Sequence, residues 1–225
     1  FDSAVSSTLF PELSRADAEG RQSSVAGLVE DSLTYGGLVL IPGLFGGILL
    51  GDRLLRIYGP EFVTGASVLW ILIAATLLYG YQKQLLNALN GIDRPKATFR
   101  INAAFIAANV ILNVLLIPTV GLVGAAVATA LSAGVGVVLA LVTLRSEIEF
   151  EIPLGEIARQ FAAAAAMAAV VVGVETLLRT AIDLNHNFAT VVLLVAVGAG
   201  TYFITLFGIS EAFRSTVFDN SPFHS

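Results

Sequence analysis

The chain has 225 residues, 56% of them hydrophobic and 13% charged, with a mean hydropathy of +0.84. A soluble domain carries nearly twice that charge, so a soluble globular protein is excluded; the net charge of −5 and a pI near 5.0 speak against nucleic acid or an anionic membrane surface as a partner. There is no Cys, which removes disulfides, thiolate metal sites and thiol redox chemistry from consideration.

Six apolar stretches follow one another along the chain: Leu33 to Gly51, Ala66 to Leu89, Ala97 to Ile117, Gly121 to Leu144, Ile157 to Leu178 and Phe188 to Ile209. Each holds roughly 19 to 24 residues, and at about 1.5 Å of rise per residue that length crosses a hydrocarbon core of about 30 Å. Backbone groups in lipid must bond within their own segment, so each stretch is predicted to be a helix and the chain an all-α integral membrane protein. The segment 1–13 is expected to be the end of a truncated crossing, because the chain opens at Phe1 without Met or a basic leader. Residues 14–32 are expected to form a cytoplasmic loop, 33–144 four crossings, 145–156 a cytoplasmic linker, 157–209 a two-helix extension and 210–225 a cytoplasmic tail.

Lys and Arg orient these crossings. With the Pro11 to Ser32 segment in the cytoplasm, Arg15, Arg21, Lys83, Arg94, Lys96, Arg100, Arg145, Arg159 and Arg214 fall at or near the cytoplasmic side, and Arg53, Arg56 and Arg179 fall outside. Basic loops resist translocation, so this asymmetry places the tail in the cytoplasm.

The second to fourth stretches carry the most specific patterns. "LLNALNGIDRPK" offers Asn90-Gly91 as a helix stop and Pro95 as a preset start for the next helix. "INAAFIAANVILNVLLIP" is expected to stop at Pro118. In the following "TVGLVGAAVATALSAG", Gly121, Gly124, Ala125, Ala128, Ser132 and Gly136 recur every three or four residues, a spacing that lets membrane helices approach closely.

Together with "STLFPELSRADAEG" and "LIPGLFGGILLGDRLLRIYGPEF", these segments resemble the multidrug/oligosaccharidyl-lipid/polysaccharide flippase superfamily, and within it the polysaccharide and lipid-linked oligosaccharide flippases. The match covers about Val5 to Ala133 in the family's order. The resemblance implies the C-terminal lobe of a two-lobe transporter, with the last two helices as the extra pair of 14-helix members. It implies a polyprenyl-linked glycan as substrate, membrane lipids as surroundings and a missing N-terminal lobe of the same polypeptide as partner. Drug or cation antiport within the superfamily, and a scaffold for a glycan-synthesis complex, are the alternatives.

Intramembrane polar residues are the candidate site, since ionisable groups in lipid are costly and usually face a cavity or a partner. Lys83, two turns inside its helix end, and Arg100, one turn inside its own, are cations able to receive a lipid phosphate; they are equally able to snorkel to the headgroups. Asn102, Asn109 and Asn113, at i, i+7 and i+11, form one stripe of amides that can line a sugar passage or bond neighbouring helices. Asp2 falls near the midplane if 1–13 ends a crossing, where a carboxylate can carry a proton or a coupling cation. Glu175 and Arg179 have the i, i+4 spacing of a local ion pair. No phosphate loop, metal motif or nucleophile elbow is present, so no catalytic residue, metal or cofactor is expected.

Overall fold

A computed structural model describes residues 22–181 and 187–219. Seven α-helices are present there: α1 (Gln22–Tyr58), α2 (Ala66–Gly91), α3 (Pro95–Val120), α4 (Leu122–Glu147), α5 (Leu154–Ala181), α6 (Asn187–Ile209) and the short α7 (Glu211–Asp219), with a 3-10 turn over Pro60–Gly65. Among the described residues there is no strand. The first six helices are long and apolar enough to span a membrane, and the chain is a multi-pass membrane protein.

Element boundaries depart from the sequence expectation where side-chain packing or capping decides them. Residues 22–32, expected within a loop, are helical, because Val25, Val29 and Leu33 recur every four residues and bury one face of α1 in the core. Pro118 lies inside α3 rather than ending it. The proline gives up its ladder bond and crowds the Val114 carbonyl, yet the helix runs on to Val120 and closes at Gly121, whose φ of 63° is left-handed and whose N–H donates to the Ile117 carbonyl at 2.9 Å. The helix stops at Asn90-Gly91 as expected, but the left-handed residue that closes it is not Gly91. Asp93 takes the left-handed conformation, at φ 56°, while its N–H donates to Asn90 and the Arg94 N–H to the Leu89 carbonyl at 2.8 Å. That pair of bonds is a Schellman closure, and an aspartate tolerates its left-handed position. Pro95 does open α3. Of the linker 145–156, residues 148–153 are irregular and both ends belong to helices; the expected tail from 210 contains α7.

The chain divides into two compact units, residues 1–40 with 67–153 and residues 41–66 with 154–225, so α1 contributes to both. The core of the first unit gathers Val25, Val29 and Leu33 of α1, Leu85, Leu89 and neighbours of α2, Ile101 of α3, and Ala140 and Leu144 of α4. The small residues of α4 permit this: Gly124 lies against the Leu116 carbonyl and Gly136 against the Gln82 side chain. The irregular residues 148–153 are clipped to α1 where the Glu151 N–H donates to the Glu30 carboxylate at 2.9 Å.

In the second unit α5 and α6 pair along their length, burying Ala163, Ala164, Met167 and Val171 against Val191, Leu194 and Leu206. Gly198 admits the Val171 side chain. At one end the Ser210 hydroxyl donates to Glu156 at 2.7 Å and accepts the Phe213 N–H at 3.0 Å, so one residue ties α5 to the start of α7. Glu156 also pairs with Arg159. Arg53 of α1 pairs with Glu175 of α5, its Nε at 2.8 Å. The described pairing of Glu175 is therefore between helices; the side chain of Arg179 lies outside the described residues.

Candidate functional site

At about 100° per residue, Thr76, Tyr79, Lys83 and Asn87 fall within about 80° of one another on α2. Asn102, Phe105, Asn109 and Asn113 repeat the same spacing on α3. The two stripes meet: the Tyr79 and Phe105 rings have centroids 6.0 Å apart. A second contact closer to the connecting turn, from the Thr98 hydroxyl to the Leu86 carbonyl at 3.4 Å, holds the same two helices together. Counting from that turn, Lys83 lies about 12 Å along α2 and Asn102 about 10 Å along α3, so the ammonium-bearing and the first amide-bearing positions share a level. Tyr79 and Phe105 lie about 15 to 18 Å along, near half the thickness of a hydrocarbon core.

This surface is open. Thr76 and Asn102 are exposed, Tyr79 is 52% exposed, and Lys83, Asn87, Asn109 and Asn113 are half-buried. Flanking Lys83 on either side, Gln82 and Gln84 are buried. Gln84 packs against Gly36 of α1 and Gln82 against Gly136 of α4, so the glutamines turn inward and the lysine occupies the outer edge of α2. Asn113 Nδ2 donates to both the backbone carbonyl (2.8 Å) and the Oδ1 (2.9 Å) of Asn109. These amides thus brace one another along α3. One amide hydrogen-bonding group on each remains to meet a polar solute, which suits hydroxyl-rich ligands.

Arg100 does not join this group. It lies about 160° around α3 from Asn102, exposed, in a shallow depression of about 390 Å³ that it lines with Pro95, Lys96 and Phe99. Asp2 lies outside the described residues. Thr76, Tyr79, Asn87 and Phe105 were not singled out by the sequence reading; the repeat of the i, i+3, i+7, i+11 spacing around Lys83 was the available signal. Among the described residues no group of three or more His, Asp or Glu is placed to hold a metal ion.

Residues 1–198 match the family profile described as "Lipid II flippase MurJ". Two proteins of Haloferax volcanii are similar: "Probable flippase AglR", 36% identical over 95% of this chain and 44% of that protein, and "Probable low-salt glycan biosynthesis flippase Agl15", 33% identical over 79% of this chain and 38% of that protein. The solved structure "Lipid II flippase MurJ, inward closed conformation" superposes with a TM-score of 0.77 at 17% identity, over 96% of this chain and 44% of that one, and shares the fold. The chain spans less than half the length of each. With the family profile covering most of its residues, the chain belongs to the lipid II flippase MurJ family, within the multidrug/oligosaccharidyl-lipid/polysaccharide flippase superfamily that its motifs resemble.

Proposed function

We propose that this chain is the C-terminal lobe of a transporter that flips lipid-linked oligosaccharide or polysaccharide repeat units across the cytoplasmic membrane by alternating access. The observation that carries the reading is the junction of the α2 and α3 polar stripes at Tyr79 and Phe105, with Lys83 and Asn102 at one level. A row of amides and hydroxyls beside one cation fits a ligand made of sugars and a phosphate. Family membership and the relatives named as flippases support the same reading.

In this proposal the polar surface faces a second lobe of the same polypeptide, and the lipid tail stays in the bilayer while the head passes. Lys83 receives the phosphate or diphosphate, and Asn102, Asn109 and Asn113 meet the sugar hydroxyls. In this reading the α2–α3 turn and the C-terminus lie on the cytoplasmic side, which the basic asymmetry of the loops supports. The lobe moves its substrate without making or breaking covalent bonds.

Depletion of the protein from its host tests the proposal. Lipid-linked glycan should then accumulate on the inner face and recover its outer-face level on re-expression. Undiminished outer-face glycan with altered resistance to cationic drugs would instead make it an antiporter. A scaffold would require that variants at Lys83 and Asn102 restore export as fully as the parent.

A further inference from the structure

We propose that the depression at the start of α3 is a binding site for the phosphate of an anionic membrane phospholipid, separate from the polar surface shared by α2 and α3. Lys96 and Arg100 are four residues apart and therefore neighbours on one face of the helix. Both line the depression, with Phe99 between them. Among the described residues neither makes an ion pair, although Arg94, two residues before Lys96, is paired with Glu147 at 2.9 Å. The two cations that face the depression are thus available to an outside anion. The chain as a whole carries a net charge of −5, so this local pair of cations is set apart from the general balance.

What lies beyond the cations identifies the ligand as a lipid. Phe99 is 74% exposed, Ile106 59%, Val110 55% and Val114 68%, and at 100° per residue they form one apolar track leading away from Lys96 and Arg100. From Arg100 to Val110 the track rises about 15 Å, the depth of one leaflet of hydrocarbon. A cationic pocket at its head and a bare apolar stripe of leaflet length below it match the two parts of a phospholipid. Lysine and arginine near a helix end keep their charges at headgroup level while their stems lie on apolar surface. The guanidinium and ammonium then donate charge-assisted hydrogen bonds to one phosphodiester. A soluble phosphate would leave the apolar track unused. The amide stripe assigned to the lipid-linked substrate borders this track, but Arg100 points about 160° around α3 from Asn102, so the cations of the depression are separate from that stripe.

The test uses the full chain purified in detergent and doped with phosphatidylglycerol or phosphatidylcholine, with retained lipid counted by native mass spectrometry. The parent protein should retain phosphatidylglycerol in preference to phosphatidylcholine, and Lys96→Gln with Arg100→Gln together should weaken that retention by about tenfold or more, since each removes a charge-assisted bond. Arg145→Gln, an exposed cation elsewhere on the same unit, should leave it unchanged. Replacing Val110 and Val114 by Ser should weaken retention with the cations intact. Equal retention by parent and K96Q/R100Q overturns the site, as does loss of the same size in R145Q. Displacement of phosphatidylglycerol by an equimolar polyprenyl diphosphate, abolished in K96Q/R100Q but not in K83Q, would assign the depression to the transported substrate and overturn the proposal. Failure of the transport reading leaves these retention measurements unaffected, because they read lipid binding alone.

Discussion

Gln82 of α2 packs flat against Gly136 of α4, so closely that a β-carbon on Gly136 would come within 2.4 Å of the Gln82 amide. The glutamine is fully buried, and its Nε2 and Oε1 have no hydrogen-bond partner among the described residues. A β-carbon at Gly136 would have to displace this amide, the end of a flexible side chain that is itself fully buried. Gly136→Ala should therefore cost about 1 to 3 kcal/mol through overpacking, read as a fall in the thermal midpoint of the detergent-solubilised protein. Shortening the opposing side chain should return most of that loss, so Q82A/G136A should be more stable than G136A. A double variant as unstable as the single one would mean that Gly136 serves something other than this contact.

The ion pair of Arg53 and Glu175 supplies a second test. Their side chains are 15% and 17% exposed, enough shielding for the loss of one partner to leave the other poorly solvated. Glu175→Gln should cost about 1 to 3 kcal/mol. Arg53→Met with Glu175→Leu should be less damaging than either charge deletion alone, because neither member of this pair is left facing an uncharged partner. Thermal unfolding of the four proteins decides it.

Much of the architecture was legible because lipid imposes a length and a polarity on every crossing, and six runs of about 20 apolar residues satisfy both. What escaped was set by contacts between distant residues. That residues 22–32 are helical follows from burial of Val25 and Val29, whose four-residue spacing was visible but sat in a segment too polar to be read as a crossing. α2 ends at Gly91 as its sequence suggests, yet the left-handed position that closes it fell to Asp93. Glu175 pairs with Arg53, 122 residues away, a contact that the local i, i+4 spacing to Arg179 could not reveal. For the site, the asparagine stripe of α3 was readable from spacing alone. Its neighbour on α2 was not, because nothing local says that Tyr79 meets Phe105 or that Arg100 faces away.

Asp93 also makes the α2–α3 turn a point where backbone chemistry can be tested. Asp93→Gly removes a side chain from a left-handed residue and should be neutral or stabilising by up to about 1 kcal/mol. Asp93→Val, β-branched at φ 56°, should destabilise by about 1 to 2 kcal/mol. Equal stability of the Gly and Val forms would show that the turn relaxes without its left-handed residue.

Orientation yields to single-cysteine labelling, since the natural chain has no Cys. Glu61→Cys, exposed in the turn after α1, should react with an impermeant thiol reagent in intact cells. Glu149→Cys, exposed in the connection after α4, should react only after the membrane is breached. The reverse pattern would invert the topology drawn from the distribution of Lys and Arg.

The strongest constraint on mechanism is the identity of the cation at Lys83. It stands at the outer edge of α2 between two inward-turned glutamines and level with Asn102 across the α2–α3 surface. If it receives a lipid phosphate, Lys83→Gln removes a charge-assisted bond of about 1.5 to 3 kcal/mol, and outer-face glycan per unit of inserted protein should fall by about tenfold or more. Lys83→Arg should keep part of the activity, because the charge persists while the planar fork changes the geometry of donation. A lysine that merely reaches for the headgroups needs no specific partner, and glutamine should then serve about as well as arginine. The ordering of parent, Arg and Gln forms therefore separates the two roles. A graded loss in that order supports phosphate reception, and equal export by all three removes Lys83 from the mechanism.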